Sequence, residues 1–417
     1  MNRTKPFKIS KEEVEIAYKL VKANKGSAGI DNQSLEDFER DLDDNLYKLW
    51  NRLSSGSYMP PPVRHAEIPK GGGEMRPLGI PTVGDRIAQM VVKQRMEPGL
   101  ERYFHPHSFG YRPKRSALDA LDLARKRCWD RAWVLDMDIK GFFDAIDHKL
   151  LMLAVRKHIR ASWLILYVER WLKAPVQYED GHLEKRDRGT PQGGVVSPLL
   201  ANLFLHYVFD IWIEQYWSGI QFERYADDII CHCRSEEEAK TLKAVIKQRF
   251  SECGLTLHPE KTKIVYCKSS SNRLDYPVVS FDFLGYTFKP RLAKDRRGVF
   301  FVTFTPAISS KSVKDIKADI RSWPVFRDSS STIMDIARFS RARILGWLNY
   351  YGKYRKSEFH RVLFYLDEEL TRWARKKYKR LKKSKRKAVR WVNGVRQREP
   401  KLFIHWNLFT ELKTVER

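Results

Sequence analysis

Two aspartates stand side by side in the segment 222–233, FERYADDIICHC. Strand-forming residues on both sides enclose Ala226, Asp227 and Asp228, which predicts a tight hairpin with a carboxylate pair at its tip. Neighbouring carboxylates repel each other unless a cation sits between them. Hard divalent ions answer this, because Mg²⁺ is typically held by one or two carboxylates together with substrate phosphates. A third candidate is Asp138 in the segment 133–148, WVLDMDIKGFFDAIDH, where Leu135 and Met137 alternate with Asp136 and Asp138 as on a strand. If Asp138 packs beside the hairpin, three carboxylates could hold two Mg²⁺ ions roughly 3.5–4 Å apart and promote in-line attack of a hydroxyl on a nucleotide phosphate. An Asp pair by itself is common in turns and helix caps, so this reading depends on the pattern around it.

The elements that must position these residues are legible from periodicity. Residues 11–22 and 35–53 show helical spacing, separated by a turn over 26–31. Residues 58–80 hold a hairpin signal: a strand ending HAEIPK, a turn at Gly71, Gly72 and Gly73, and a return strand EMRPLGIP. Helical spacing resumes over 83–100 and 115–127. The strand over 133–139 breaks at Gly141 before a short helix. A further helix is expected over 199–209, and three more over 312–322, 332–354 and 359–378. Cys231 and Cys233 flank His232, but no second pair of ligands stands at zinc-site spacing, so they read as small side chains on a half-buried strand.

The 417 residues carry 78 Lys plus Arg against 51 Asp plus Glu, a formal charge of +27, which calls for a polyanionic partner. With 42% apolar and 12% aromatic residues the chain can bury ordinary cores and is no disordered basic tail. No apolar run approaches the roughly 20 residues of a membrane span, and the first ten residues lack a signal-peptide core, so a cytoplasmic protein without a membrane partner is expected. The charge is concentrated: from Lys311 onward 29 basic and 11 acidic residues leave +18. Its densest part, residues 372–390, has 12 basic residues among 19 and no acid. Trp373, Tyr378 and Trp391 are interleaved, which suggests a phosphate-contacting surface with rings that stack on bases.

Taken in order, AGID (28–31), MRPLGIPTVGDRI (75–87), FGYRPKRSALDAL (109–121), DIKGFFDAIDH (138–148), GTPQGGVVSPLLANLFL (189–205), YADD (225–228), GLTLHPEKTKI (254–264) and FDFLGYTF (281–288) resemble the blocks of bacterial group II intron-encoded reverse transcriptases and maturases. The resemblance implies an α+β right-hand polymerase, with fingers and palm around an antiparallel sheet, followed by an α-helical thumb called domain X. The expected divisions are 1–60, an N-terminal extension joining the fingers; 61–306, fingers and palm; 307–380, thumb; and 381–417, a basic DNA-binding segment.

Roles carry over block by block as implications of this resemblance. Asp138, Asp227 and Asp228 match the catalytic metal-binding carboxylates of a site using two Mg²⁺, or Mn²⁺, with the backbone carbonyl of Ile139 as a further ligand. Asp144 and Asp147 read instead as starts of the following helix. Phe143 matches the steric gate, a ring that would clash with a ribose 2′-hydroxyl and so select deoxynucleotides. Gln192 matches the residue contacting the incoming nucleotide, and Lys70 and Arg76 match positions gripping its triphosphate. Arg112 and Lys261 are expected at template or primer, and Gly285 in the primer grip. Arg341, Arg343, Lys376, Lys377 and Arg380 are expected on nucleic acid.

The implied activity is RNA-directed DNA polymerisation from dNTPs on an RNA template with a DNA or RNA primer, coupled to binding of group II intron RNA for splicing and of target DNA for retrohoming. A splicing cofactor with a vestigial polymerase and a reverse transcriptase of repair or phage defence are the alternatives. No pair of cysteine pairs follows residue 391, so the resemblance is to compact members without the HNH nuclease, and priming from a nicked or replicating strand is expected.

Overall fold

A computed structural model of the chain describes residues 5–71, 74–328 and 330–406, with the side chains of 70, 71 and 74 excepted. Two compact units divide it: one holds the chain up to Arg127 together with Trp133–Ile264, the other holds Cys128–Ala132 and the chain from Val265 onward.

The first unit opens with α1 (Lys11–Asn24), started by a capping box in which Ser10 and Glu13 exchange side-chain and backbone hydrogen bonds. The single helix expected over 35–53 is two, α2 (Leu35–Arg40) and α3 (Leu42–Ser55), because Asp41 leaves helical geometry at φ −123°. Strands β1 (Val63–Gly71) and β2 (Glu74–Ile80) form the antiparallel hairpin, with Ile68 opposite Arg76. Helix α4 (Val83–Glu101) follows, almost wholly buried over its first ten residues, and then α5 (Ala117–Asp130).

Strand β3 (Trp133–Met137) leads through Gly141, at φ +56°, into the single turn α6 (Phe142–Ala145), then α7 (His148–His158) and α8 (Ser162–Lys173). Two short strands, β4 (Val176–Gln177) and β5 (Leu183–Glu184), extend the hairpin sheet in the order β2-β1-β4-β5. Their two residues apiece give no alternation to detect in sequence. Helix α9 (Ser197–Leu205) continues through a π turn over His206–Asp210 into α10 (Ile211–Tyr216). Strands β6 (Gln221–Tyr225) and β7 (Asp228–Cys233) pair around a two-residue turn, and β7 pairs antiparallel with β3. The sheet order is β6-β7-β3, with β8 (Lys263–Tyr266), which starts in this unit, at its edge. Helix α11 (Glu236–Glu252) intervenes between β7 and β8.

In the second unit β9 (Phe281–Phe283), β10 (Tyr286–Lys294) and β11 (Phe300–Ile308) form an antiparallel sheet, followed by α12 (Ser310–Ser322), α13 (Ile333–Tyr351), α14 (Lys356–Lys377) and α15 (Lys385–Arg398). One apolar core joins Trp323, Ile336, Phe359, Leu363, Leu366, Trp373, Val392 and Trp406. The dense basic run is therefore folded: it comprises the end of α14, a short turn and the start of α15. The fold is the mixed helix and antiparallel-sheet architecture expected. All five cysteines are free thiols and buried, and Cys231 and Cys233 sit in β7 as small core side chains. Among the described residues no helix is long and apolar enough to cross a membrane.

Candidate active site

The YADD turn is built from beneath. Tyr225 pairs with Asp228, so Ala226 and Asp227 form the turn, with Ala226 at φ +59°. Left-handed backbone costs a non-glycine residue about 1–2 kcal/mol, and the surroundings must hold it. Arg224, fully buried, donates to the Ala226 carbonyl at 3.1 Å, to Asn202 Oδ1 at 2.9 Å and to both Asp210 oxygens at 2.7 and 2.6 Å. Burial pushes the Asp210 carboxyl up, but the Arg224 guanidinium, together with His206, outweighs it and holds the group below its ordinary value. Gly110 passes against the turn so closely that a Cβ there would lie 2.4 Å from the Ala226 nitrogen, and its carbonyl accepts from Asn202 at 2.7 Å. Only glycine allows that approach.

Register brings the third carboxylate alongside. Met137 faces Ile229 in the β3–β7 ladder, so the next step of the same register sets Asp138 beside Asp228. Asp138 is held from its other edge as well: its carbonyl accepts from the His258 N–H at 2.8 Å, and the Lys140 N–H donates to the Thr256 carbonyl at 2.9 Å. These bonds flank the Ile139–Leu257 bridge, which leaves the Ile139 carbonyl directed away from Leu257.

Asp138, Ile139 and Asp227 line a cleft of about 610 Å³ together with Arg76, Phe143, Gln192 and Lys261. Phe143 stands partly exposed on α6, edge-on to Phe142 at 5.4 Å, and its carbonyl accepts from the Thr190 N–H at 2.8 Å. Gln192 is held by its carbonyl, which accepts from the Gly79 N–H at 2.7 Å. Gly193, at φ +118°, brings the backbone so near β2 that a Cβ would sit 2.6 Å from the Gly79 oxygen. Arg76 is exposed on β2. The side chain of Lys70 lies outside the described residues.

No three His, Cys, Asp or Glu side chains are gathered as a metal cluster among the described residues. The Asp138 carboxylate instead has the Lys261 ammonium as counter-ion at 3.3 Å. That ammonium stands where a cation is wanted, and the donors, carboxylates and one free-facing carbonyl, are the oxygen type that hard divalent ions take. The residues therefore fit such a metal in chemistry, with Lys261 as its stand-in.

Three residues of the cleft escaped the sequence reading. Tyr111, at φ +58°, faces the carboxylates, and burial together with the charges of Asp227 and Asp228 raises its phenol pKa. His258 is the second. Asp144, expected to start a helix, lines the cleft, while Asp147 does cap α7 through the Leu150 N–H at 2.8 Å. The FGYRP and HPEKT motifs that hold Tyr111 and His258 were the available signal.

The residues expected on nucleic acid divide. Arg112 is buried and spent: it binds Glu101 at 2.7 Å and the His105 and Ser108 carbonyls at 2.6 Å, so it offers nothing to a template. Gly285, at φ +77°, forms a turn with Leu284 at φ +49°. Its carbonyl is taken by the Ser309 N–H and the Ser312 hydroxyl, both at 3.0 Å, and a Cβ would meet the Tyr351 hydroxyl at 3.0 Å. The glycine thus leaves room for α13 to pack against the turn. Lys377 donates to the Ser330 and Ser331 carbonyls at 3.0 and 2.7 Å. Arg343 is exposed although it lies over Phe339 at 4.6 Å and 3.8 Å from Asp319, and Arg341, Lys376 and Arg380 are exposed too. Trp373 is buried, so it builds core rather than a stacking surface, and Tyr378 and Trp391, half-buried, pack on it at 5.9 and 6.3 Å.

A reverse transcriptase (RNA-dependent DNA polymerase) profile matches residues 68–288, and the chain belongs to that family. A group II intron maturase-specific domain matches residues 313–391. Protein YkfC of Escherichia coli (strain K12) is 36% identical over 210 residues, 49% of this chain and 55% of that one. The group II intron-encoded protein LtrA of Lactococcus lactis subsp. cremoris is 37% identical over 194 residues, 46% of this chain and 32% of that one. A putative COX1/OXI3 intron 1 protein of Saccharomyces cerevisiae is 26% identical over 312 residues, 61% and 36% of the two chains. The chain spans about half the length, or less, of these relatives. Members of the family generally use divalent metals.

Proposed function

We propose that the protein extends a DNA or RNA primer with dNTPs on an RNA template, and that its second unit binds group II intron RNA to aid splicing and target DNA to aid mobility. The observation that carries this reading is the shared cleft, where Asp138 and Asp227 meet Arg76, Phe143 and Gln192. Asp138, Asp227, Asp228 and the Ile139 carbonyl would hold two Mg²⁺ ions. Bound there, the metals supply activation of the primer 3′-hydroxyl and charge stabilisation at the leaving pyrophosphate. Arg76 would bind phosphate oxygens through its planar fork, and Lys70, on the other strand of the hairpin, would be the second grip on the triphosphate. Gln192 would orient the nucleotide, its turn being fixed by the Gly79 N–H. Phe143 would exclude a 2′-hydroxyl by sterics, set by its backbone tie to Thr190. The exposed cations Arg341, Lys376 and Arg380 would contact phosphates, with residues 307–380 as thumb and 381–417 as the DNA-binding segment.

Primer extension on an RNA template with Mg²⁺ and dNTPs tests the reading. Asp227→Ala should lose more than about 10²-fold in rate, as removal of a group worth several kcal/mol to the transition state requires. Equal product from wild type and variant would overturn it.

A further inference from the structure

The loop carrying Gln192 is braced on one side by Gly79 of β2. On its other side lies a chain of buried hydrogen bonds running back into α4. Asp85, 2% exposed, is three residues into that helix, where its N–H donates to the Thr82 hydroxyl at 3.1 Å. Its carboxylate is covered by three donors. The Tyr58 hydroxyl and the Trp171 indole N–H reach Oδ1 at 2.6 and 2.7 Å, and the Gln89 amide nitrogen reaches Oδ2 at 2.9 Å.

Gln89, 1% exposed, is one helical turn onward on the same face. A carboxylate only accepts, so the Gln89 NH₂ must face Asp85 and its oxygen must face the other way. That oxygen accepts from the Val196 N–H at 3.3 Å. Val196 precedes α9 and follows Gly194 by two residues. A Cβ at Gly194 would lie 3.2 Å from the same Gln89 oxygen and 2.5 Å from the Ser197 hydroxyl, so the turn is pressed onto this acceptor. Asp85 thus orients Gln89, and Gln89 satisfies a backbone donor four residues beyond Gln192 that would otherwise be buried without a partner.

We infer that Asp85 and Gln89 form a positioning relay that holds the 191–196 turn, and with it Gln192, at the height the incoming nucleotide requires. They touch no substrate. Their placement at the back of the cleft, with Tyr58 and Trp171 closing the far end, means that the nucleotide-binding turn is suspended between the β-hairpin and the helical core. The relay rests on the polymerase reading for its effect on catalysis, but not for its effect on the turn.

The test uses the full chain and two readouts. Gln89→Leu and Gln89→Met remove both buried hydrogen bonds of the Gln89 side chain, of which only the one from the Val196 N–H reaches the turn. In steady-state extension on an RNA template they should therefore raise KM for dNTP about 5- to 10-fold, the scale of that one bond, while changing kcat less than about 3-fold. In a Gln192→Ala background the same substitution should add less than about 2-fold, because the two act on one contact. Hydrogen exchange of the peptide covering 191–199 should quicken in both Gln89 variants, with the peptides of β3 and β7 unchanged. Unchanged exchange of 191–199 would overturn the relay, whatever the activity. A purely structural role would show as equal losses in both backgrounds with exchange quickened throughout, and that also would overturn it. If the wild type extends no primer, the polymerase reading fails, and the exchange measurement still decides the relay.

Discussion

The Lys261 ammonium lies 3.3 Å from a carboxylate oxygen of Asp138 in the wall of the cleft. Both side chains are partly exposed, so the pair is worth only about 0.2–1 kcal/mol. A divalent ion binding Asp138 must displace it. Lys261→Met should therefore lower the Mg²⁺ concentration for half-maximal thermal stabilisation by a factor of up to about 5. An unchanged or raised midpoint would show that Lys261 does not compete with the metal.

Phe143 is held at the mouth of α6 by the bond between its carbonyl and the Thr190 N–H, not by burial of its ring. Phe143→Ala should keep the fold and admit ribonucleotides, raising rNTP use relative to dNTP by about 10-fold or more, the range of a removed steric contact of 1–3 kcal/mol. Competition between rNTP and dNTP in primer extension reads this directly. Retained discrimination would place the gate elsewhere.

Removing Arg112 should act on stability rather than on nucleic acid. Its loss strands Glu101 and two carbonyls, so Arg112→Ala should cost about 2–4 kcal/mol in denaturant unfolding. The salt slope of RNA binding at a temperature where both proteins are folded should not move. A shallower slope with intact stability would return Arg112 to the nucleic-acid surface.

His107 gives a pH dependence. Burial lowers its pKa from 6.5 to about 4, helped by the charge of Arg127 and by His105 and opposed by Glu223. The Arg127 guanidinium, which can only donate, meets the ring at Nε2 at 2.9 Å and so selects the neutral imidazole. The unfolded chain takes up this proton at a higher pH than the folded one. Stability from this group is therefore complete above about 6.5 and is lost as pH falls from there towards 4. Equilibrium unfolding at pH 7, 6 and 5 should show that decline, and His107→Gln should flatten it.

The basic face and the aromatic core of the second unit should separate experimentally. Lys376, Arg380 and Lys383 are exposed, and changing all three to Gln should reduce the logarithmic salt slope of RNA binding by about 2–3. Trp373→Ala should instead cost about 3–5 kcal/mol of stability, as for a buried aromatic. A filter-binding salt titration beside thermal unfolding distinguishes the two.

How far the site could be read in advance depended on local pattern. Asp227 and Asp228 were legible because strand-forming residues enclose them on both sides, and Asp138 because the strand signal before it breaks at Gly141. Arg112 was not, since a buried arginine and a phosphate-binding one look alike until Glu101 is seen beside it. Trp373, Tyr378 and Trp391 read differently for a related reason: Trp373 is buried in α14 and the half-buried Tyr378 and Trp391 pack against the same core, while Lys376, Arg380 and Lys383 between them are exposed, so what is interleaved in sequence is partly separated in space. Gln89 gave no sign, because its partner Val196 contributes only backbone. Such contacts have no residue type to search for.

The burial of every cysteine has a practical consequence. A single cysteine introduced on an exposed face, for instance at Lys376 or Arg341, would be the one thiol that a water-soluble maleimide reaches quickly. The native chain then needs no cysteine removal before a fluorophore or spin label is attached, and the label reports on the unaltered core.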